Sequence, residues 1–344
     1  MSALYVCSPA PGDGKTTLAI GLAQRLAAEG LGVGYLKPVG RGSPDSAADP
    51  DAIFARQVLR LRLALDVLSP VDLGRPSDDA ESRVRAAYEA ASRDRDVVLL
   101  DATCEDAPPA LSGPAVAEML DARVLVVAAY QTDELAEAIV ETARLYGERV
   151  LGAVVTAVPE TAESAVAQKL GPALSAAGVP LLGSLPVSRT LMGLTVAELA
   201  AAIGGEILCA MEWSDKPVDS LMLATISDTT TQWYFRRQNA KAVIARGDRP
   251  DAHIGALETE TSCLIVTGGK DPQPHVLGLA ADLEVPIVKV ADETLAVLDR
   301  ITDLLPEVRF RQRHKLSAVA DLLGAHFDFA ALRQGLDLRQ EATP

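Results

Sequence analysis

The segment that most constrains this chain covers residues 8–17, which lie between two apolar patterns. It consists of Ser-Pro-Ala-Pro-Gly-Asp-Gly-Lys-Thr-Thr. The apolar residues 3–7 just before it are typical of a short buried strand. After it, three leucines recur at helical spacing over residues 18–26, and Gly30 supplies a stop signal. Strand, glycine-rich loop and helix therefore follow one another in the order that a phosphate-binding loop requires.

This loop predicts a site for a polyphosphate. The backbone N–H groups of such a turn and the positive end of the following helix attract phosphate oxygens. In the pattern G-x-x-x-x-G-K-[ST], the lysine reaches the β- and γ-phosphates and the hydroxyl binds Mg²⁺. The first glycine of that pattern falls on Pro9, and an ordinary turn with an incidental lysine is the alternative. The predicted nucleotide-binding residues are Gly12, Asp13, Gly14, Lys15, Thr16 and Thr17.

Composition narrows the class of protein. A chain of 344 residues is long enough for two domains. The net charge of −15, with acidic residues spread along the chain, argues against binding to nucleic acid or to an anionic membrane. No charged leader and no apolar run of about 18 residues is present, so we expect a cytoplasmic protein without a membrane anchor. Four widely spaced cysteines suggest neither a zinc site nor a disulfide framework.

The alternation of apolar runs and helical patterns predicts an α/β fold with a parallel sheet covered by helices. A first domain is predicted over residues 1–207, ending after a helix at 195–203 and the Gly204-Gly205 stop. A smaller α/β domain is predicted over 208–306. Residues 307–344 are expected to form a basic segment and an amphipathic helix, with an interface or intramolecular role for the basic residues.

Three further polar residues stand where ligand groups gather in open α/β sheets. Asp101 ends an apolar strand at 96–101, as in a Walker B strand whose terminal acid holds Mg²⁺. Lys37 ends the second strand, where it either meets a substrate anion or phosphate or is simply solvated. Asp51 begins a helix, so a capping role competes with a metal-binding role. The predicted metal ligands are Thr16, Asp51 and Asp101.

Two turns in the second domain are weaker candidates. Residues 246–251 and 267–270 both follow predicted strands and contain glycine. Their backbone N–H groups could form a nest for an anion, although glycine after a strand is more often only a turn. The predicted ligand residues are Gly247, Asp248, Arg249, Gly268 and Gly269.

Two sets of residues resemble a known family. Residues 8–17 together with 35–40 (Tyr-Leu-Lys-Pro-Val-Gly) are similar to the dethiobiotin-synthetase-like P-loop proteins, in the form found in the N-terminal region of long phosphate acetyltransferases. Residues 247–249, 256–258 and 264–269 resemble the DRTGG domain of that same region. Together, these resemblances cover nearly the whole chain.

The resemblance implies binding of ATP or GTP with Mg²⁺, together with a regulatory module, and no transacetylase chemistry in these 344 residues. It matches Lys15 and Thr16 to phosphate and metal positions and Lys37 to a substrate-contacting lysine. It also matches Asp51 to a metal ligand, while Asp101 stands where the synthetases carry Glu. Residues 102–105 and Thr156 differ from the substrate loop and the adenine-reading Asn of the synthetases.

Three hypotheses follow. The first is a nucleotide-binding regulatory protein whose second domain senses a metabolite or binds a protein partner, with a homo-oligomer compatible with the resemblance. The second is an ATP-dependent ligase acting on a small amine or carboxylate, with Lys15 and Lys37 as catalytic residues. The third is a structural subunit whose loop binds nothing. Retention of Lys15, Thr16 and Asp101 argues against the third, and the altered 102–105 loop argues against the second.

Overall fold

The computed structural model describes residues 1–42, 48–75, 78–102, 106–131, 135–224, 231–304 and 315–338. These residues divide into two compact units: Met1–Val187 with Phe310–Pro344, and Ser188–Arg309. The described strands are β1 Ser2–Cys7, β2 Val33–Leu36, β3 Val39–Gly40, β4 Val71–Asp72, β5 Val97–Asp101, β6 Arg123–Ala129, β7 Val150–Val158, β8 Leu181–Pro186, β9 Leu194–Thr195, β10 Glu206–Cys209, β11 Pro217–Val218, β12 Ser220–Leu223, β13 Lys241–Arg246, β14 Thr261–Thr267 and β15 Ile287–Lys289.

The helices alternate with these strands along most of the chain. A π-helical segment also spans Val166–Leu170. The described α-helices are α1 Lys15–Ala28, α2 Pro50–Val58, α3 Leu65–Leu68, α4 Ala80–Ser92, α5 Gly113–Met119, α6 Leu135–Tyr146, α7 Glu163–Ala165, α8 Gly171–Ala176, α9 Arg189–Met192, α10 Val196–Ile203, α11 Thr231–Phe235, α12 Pro250–Leu257, α13 Pro274–Asp282, α14 Thr294–Leu304, α15 Lys315–His326 and α16 Phe329–Gly335.

The first unit is built on a six-stranded parallel sheet in the order β2-β5-β1-β6-β7-β8. Its central strands are buried along their length, as expected of a parallel sheet with both faces covered. In the register of β1 and β5, Val6 lies beside Asp101. Leu36, the last residue of β2, lies beside Leu100. The loop after β1, Lys37 and Asp101 therefore meet at one edge of the sheet.

The second unit contains a five-stranded sheet in the order β10-β15-β14-β13-β12. Strand β10 is antiparallel to β15, and the other neighbours are parallel. A continuous apolar sequence forms β14, which is buried along its whole length. The predicted α/β fold class is confirmed, with a parallel sheet in the first unit and a mostly parallel sheet in the second.

The helix predicted at 195–203 belongs to the second unit, although the sequence-based boundary at 207 places it in the first domain. The helix forms as α10, with a capping box between Thr195 and Glu198 at its start. Leu199 and Ile203 of α10 pack in one cluster with Val288 of the second sheet. Because burial of this apolar face against that sheet decides where the helix belongs, the division between the units precedes it.

The C-terminal helices belong to the first unit and are not a separate segment. Helix α15 packs against α1 and β8. An added Cβ at Gly21 in α1 would overlap the Val319 side chain of α15 and lie 2.8 Å from Leu323. The missing side chain of Gly21 thus lets the two helices approach closely. Of the basic residues predicted to have an interface role, 309–315, residues 309–314 lie outside the described residues, and Lys315 is buried at the start of α15.

Candidate functional site

The loop between β1 and α1 has the backbone conformation of an anion-binding turn. Gly12 and Gly14 have φ angles of +86° and +97°, in the left-handed region that glycine adopts at little cost. Gly14 is the N-cap of α1, and no side chain of the described residues caps this end of the helix. The first turn, which includes Lys15, Thr16 and Thr17, holds no acidic residue. Its N–H groups and the helix dipole can therefore face a phosphate.

Lys15 lies folded back on the loop. Its Nζ donates to Ser8 Oγ at 2.6 Å and to the Ala10 carbonyl at 3.4 Å, while the Ser8 hydroxyl donates to the same carbonyl at 2.6 Å. These contacts keep the ammonium group at the mouth of the loop. A bound phosphate would take the place of Ser8 and Ala10 as the acceptor for Lys15.

Asp13 supports the loop from within. Its carboxylate accepts the N–H of Ala10 at 3.0 Å and the N–H of Ala129, at the end of β6, at 3.2 Å. The Thr156 hydroxyl on β7 donates to the Asp13 carbonyl at 2.9 Å. Asp13 is only 4% exposed. Its side chain therefore positions the loop against two neighbouring strands, and a contact of Asp13 with nucleotide stays a prediction.

Thr16 lies next to both predicted metal-binding carboxylates. Its hydroxyl donates to Asp101 Oδ2 at 2.8 Å and lies 3.3 Å from Asp51 Oδ2. Asp51 lies on α2, whose N-cap Asp49 accepts the Asp51 N–H at 2.8 Å. The capping role considered for Asp51 thus falls on Asp49, because the N-cap residue supplies the acceptor. Asp51 is left facing the loop.

Lys37 is buried and paired with these same carboxylates. Its Nζ lies 3.0 Å from Asp101 Oδ2 and 3.4 Å from Asp51 Oδ2. The Tyr35 hydroxyl, also buried, donates to Asp101 Oδ2 at 3.0 Å. Lys37 is thus part of an ion-pair cluster. This position fits neither a solvated lysine at a strand end nor an ammonium group that faces only a substrate.

The charges in this cluster perturb one another. Burial alone would lower the pKa of Lys37, but its attraction to Asp101 and Asp51 is stronger, and the pKa of Lys37 is raised. Burial, reinforced by Asp101, raises the pKa of the Tyr35 hydroxyl. Burial also raises the pKa of Asp49, against the opposing effect of Lys37. At neutral pH, Lys37 is charged and Tyr35 is a neutral hydrogen-bond donor.

The arrangement around Thr16 fits a magnesium ion. Three donors, from Thr16, Tyr35 and Lys37, converge on Oδ2 of Asp101. Asp101 Oδ1 is buried and has no hydrogen-bond partner among the described residues. Carboxylate and hydroxyl oxygens are the ligands that Mg²⁺ prefers, usually in small number and together with phosphate oxygens. Within the part of the chain that the structure describes, no group of three or more His, Cys, Asp or Glu side chains could hold a metal. A magnesium ion would therefore depend on Thr16 and on the nucleotide as well.

The glycines predicted to form a second-domain nest do not offer their amides to an anion. The Gly268 and Gly269 N–H groups donate to the carbonyls of Asp292 and Val290, at 2.9 and 3.0 Å. The Gly247 N–H donates to the Thr267 carbonyl at 3.0 Å. A nest needs N–H groups that are not already used, and these three are used within the fold; ligand binding at Gly247, Gly268 and Gly269 stays a prediction.

The charged side chains near that turn are paired with one another. Asp248 lies 3.3 Å from Arg246 and 3.4 Å from Lys270. Arg249 forms an ion pair at 2.8 Å with Asp251, two residues further on. Arg246 and Lys270 are more than half exposed. Ligand binding by Asp248 and Arg249 remains a prediction, and it would require these exposed pairs to open.

Several residues of the site were not singled out in the sequence. In the sequence, Tyr35 has the pattern of an ordinary apolar strand residue, and Ser8 has that of a loop residue. The position of Asp49 directly before Pro50 is an N-cap signal that could have distinguished it from Asp51. The residues 103–105, which differ from the substrate loop of the synthetases, lie outside the described residues.

The fold and this site define a P-loop nucleoside-triphosphatase-like domain joined to a second α/β domain. The chain belongs to the family described as an AAA domain, whose model matches residues 2–195, more than half of the chain. A second family model, described as a DRTGG domain, matches residues 198–304. The resemblance to a P-loop domain joined to a DRTGG domain is thereby confirmed.

Curated relatives are similar over almost the whole chain. A phosphate acetyltransferase of Pseudomonas aeruginosa is 22% identical, over 97% of this chain and 52% of its own length. The phosphate acetyltransferase of Pseudomonas putida is 23% identical, over 97% and 52%. That of Deinococcus radiodurans is 23% identical, over 96% and 51%. The chain thus spans about half the length of the curated relatives it matches.

Solved structures match parts of the chain at low identity and low TM-score. The cell division protein MinD of Aquifex aeolicus is 15% identical with a TM-score of 0.40, covering 56% of this chain and 84% of MinD. The CBS and DRTGG domains of the regulatory region of Clostridium perfringens pyrophosphatase, complexed with diadenosine tetraphosphate, are 18% identical with a TM-score of 0.29, covering 34% and 54%. Likeness at this level carries no argument about ligands. Separately, no helix of the described residues is long and apolar enough to span a membrane.

Proposed function

We propose that this chain is a cytoplasmic regulatory protein that binds a magnesium nucleotide, ATP or GTP, at the loop between β1 and α1. The observation that carries the proposal is the contact of Thr16 with Asp101 and Asp51 directly beside Lys15 at the uncapped start of α1. Phosphates bound there would receive the Lys15 ammonium and the N–H groups of the first helical turn. Magnesium, when bound, would neutralise phosphate charge between Thr16 and the two carboxylates.

Regulation is favoured over ligase chemistry by the state of Lys37. In the ligase hypothesis, Lys37 contacts the reacting substrate. Its ammonium is instead held by Asp101 and Asp51, and the raised pKa of Lys37 keeps it charged. Because the ammonium group is already paired with these two carboxylates, contact with a substrate anion would require it to leave them. We therefore assign Lys37 to the support of the carboxylates.

The second unit supplies the regulatory part of the proposal. It would bind a metabolite, or a protein partner including a second copy of the chain. Nucleotide bound to the first unit would change this binding, or this binding would change the affinity for nucleotide. The match of a DRTGG domain model to residues 198–304 supports this assignment. The similarity of the chain to about half the length of phosphate acetyltransferases also supports a regulatory second unit.

Isothermal titration of the intact chain with ATP and with GTP, each with and without Mg²⁺, tests the proposal. Lys15→Ala should abolish the heat of binding, whereas Lys169→Ala, a matched change at an exposed lysine of the same unit, should retain it. Phosphate release measured on the same samples, with amine and carboxylate compounds added, should stay at background. Absence of nucleotide binding by the wild type would refute the proposal, and rapid substrate-dependent turnover would favour the ligase.

A further inference from the structure

A cavity lies at the N-terminus of α2, where Ala48, the residue before the N-cap Asp49, forms part of its wall. It has a volume of about 320 Å³. Apolar atoms of Leu65 and Pro70 form part of its wall. Its polar lining comes from Ser69, Asp66, Asp72, Arg75 and Arg83. The hypotheses considered so far do not use this cavity.

The guanidinium groups of Arg75 and Arg83 have N–H donors that a ligand can use. Arg83 has no side-chain partner among the described residues, and Arg75 makes only a long contact of 3.9 Å to Asp72. Guanidinium groups present several N–H donors in a planar fork that matches carboxylate or phosphate oxygens. Two such groups at one cavity can hold one anion together.

Two acidic residues, Asp66 and Asp72, lie in the same wall and offset the charge of the two arginines, so an anion there must be held by directed N–H donors. Asp72 Oδ1 already accepts the N–H groups of Gly42 at 3.0 Å and Gly74 at 2.9 Å. These backbone donors, the Gly42 N–H first, lower the pKa of Asp72. Asp66 is exposed in the first turn of α3, where the helix dipole favours a negative charge. Asp72 Oδ1 is thus occupied by two backbone N–H groups, while the guanidinium N–H groups of Arg83 remain available at the cavity.

Ser69 adds a buried donor to the site. It is 5% exposed, and its Oγ accepts the backbone N–H of Asp49 at 3.2 Å. A hydroxyl that accepts one hydrogen bond can still donate its proton. With Arg75 and Arg83 it completes a set of three donors around the cavity.

We infer that this cavity binds a small organic anion, carrying a phosphate or carboxylate group and a short apolar portion, through Arg75, Arg83 and Ser69. The anionic group meets the two guanidinium groups and the hydroxyl, and the carbon chain lies against Leu65 and Pro70. This is a ligand site in the first unit, separate from the loop after β1.

The same contacts connect this site to the nucleotide site. Ser69 Oγ holds the N–H of Asp49, which caps α2. Asp49 in turn holds the N–H of Asp51, whose carboxylate lies 3.3 Å from the Thr16 hydroxyl. An anion at Ser69 therefore shifts the position of Asp51 and changes Mg²⁺-nucleotide affinity, a consequence that rests on the proposed function.

Phosphate binding to the intact chain, measured by ³¹P NMR line broadening without nucleotide, tests the anion site. Because the loop around Lys15 also attracts phosphate, the key sample is Lys15→Ala, in which binding should persist. Adding Arg75→Gln and Arg83→Gln to Lys15→Ala should weaken phosphate binding tenfold or more. Arg93→Gln, at an exposed arginine that ends the helix carrying Arg83, should leave it unchanged.

The outcomes separate the two proposals. Loss of phosphate binding in Lys15→Ala alone, with full binding in the double arginine variant, would overturn the anion site and support the loop. Binding of butyrate, measured by saturation-transfer NMR and lost with the two arginines, would support the site with a carboxylate ligand. If neither probe binds to Lys15→Ala, the inference fails. Failure of ATP to bind the wild type would refute the proposed function while leaving the phosphate result intact.

Discussion

Thr16 and Asp101 lie 85 residues apart in the sequence, yet the Thr16 hydroxyl donates to Asp101 Oδ2 at 2.8 Å. The parallel register of β1 and β5 causes this contact, because it ends both strands at one edge of the sheet. The contact joins the phosphate-binding turn to the acidic strand end.

Replacing Lys37 with methionine should destabilise the first unit strongly. The change leaves Asp101 buried without its cation, and removal of one partner of a buried ion pair costs about 3–5 kcal/mol. Urea denaturation should report this loss. Lys169→Met should have little effect because Lys169 is exposed. Adding Asp101→Asn to Lys37→Met should recover part of the loss, and an unchanged unfolding midpoint for Lys37→Met would contradict the ion-pair role.

Replacing Asp13 with alanine should both loosen the loop and destabilise the fold. The change leaves the N–H groups of Ala10 and Ala129 without their acceptor, at a cost of about 1–3 kcal/mol for each group that stays buried. Asp13→Asn keeps one acceptor oxygen and should lose less. Thermal denaturation and ATP titration of both variants provide the measurements. If Asp13→Ala lost ATP binding at full stability, the carboxylate would contact ligand instead of supporting the loop.

Replacing Gly21 with alanine should destabilise the contact between α1 and α15. The new methyl group would overlap Val319, and overpacking of this kind costs about 1–3 kcal/mol. Gly324→Ala in α15 is the matched control, because nothing lies within 4 Å of a Cβ built there, and it should stabilise by roughly 0.5–1 kcal/mol. Combining Gly21→Ala with Val319→Ala should relieve the overlap. Equal unfolding free energies for the two single variants would show that α15 does not pack there.

The stability of the second unit should depend on pH through Lys241. Burial lowers the pKa of Lys241 from 10.5 to about 8, with Glu260 opposing the shift, and its Nζ donates to the Glu260 carbonyl. Between pH 8 and 10.5 the unfolded chain therefore binds more protons at this residue than the folded chain, so stability rises with pH. Lys241→Met should remove this contribution.

The difference in unfolding free energy between Lys241→Met and the wild type isolates that contribution from other titrating groups. Buried Cys263, whose pKa burial raises to about 12, acts in the opposite direction but is common to both proteins. The advantage of Lys241→Met should shrink as pH rises from 7 to 10. A difference independent of pH would mean that Lys241 stays charged in the folded state.

Local sequence order predicted much of the site. The strand, glycine loop and helix around Lys15 are neighbours in the chain, so their geometry follows from local turn and helix signals. Lys37 and Asp101 could be placed at strand ends for the same reason. The pairing of Lys37 with Asp101 was not predicted, because it depends on the register between β2 and β5.

The sequence alone predicts the loop, the alternation of strands and helices, and the membership of these residues in a P-loop and DRTGG architecture. Only the tertiary structure decided that Asp13 supports the loop, that Tyr35 donates to Asp101, and that the amide of Gly268 is used internally. It also decided that α10 belongs to the second unit and α15 to the first. The reason is physical: local propensity forms an element, but long-range burial and hydrogen-bond satisfaction choose its partners.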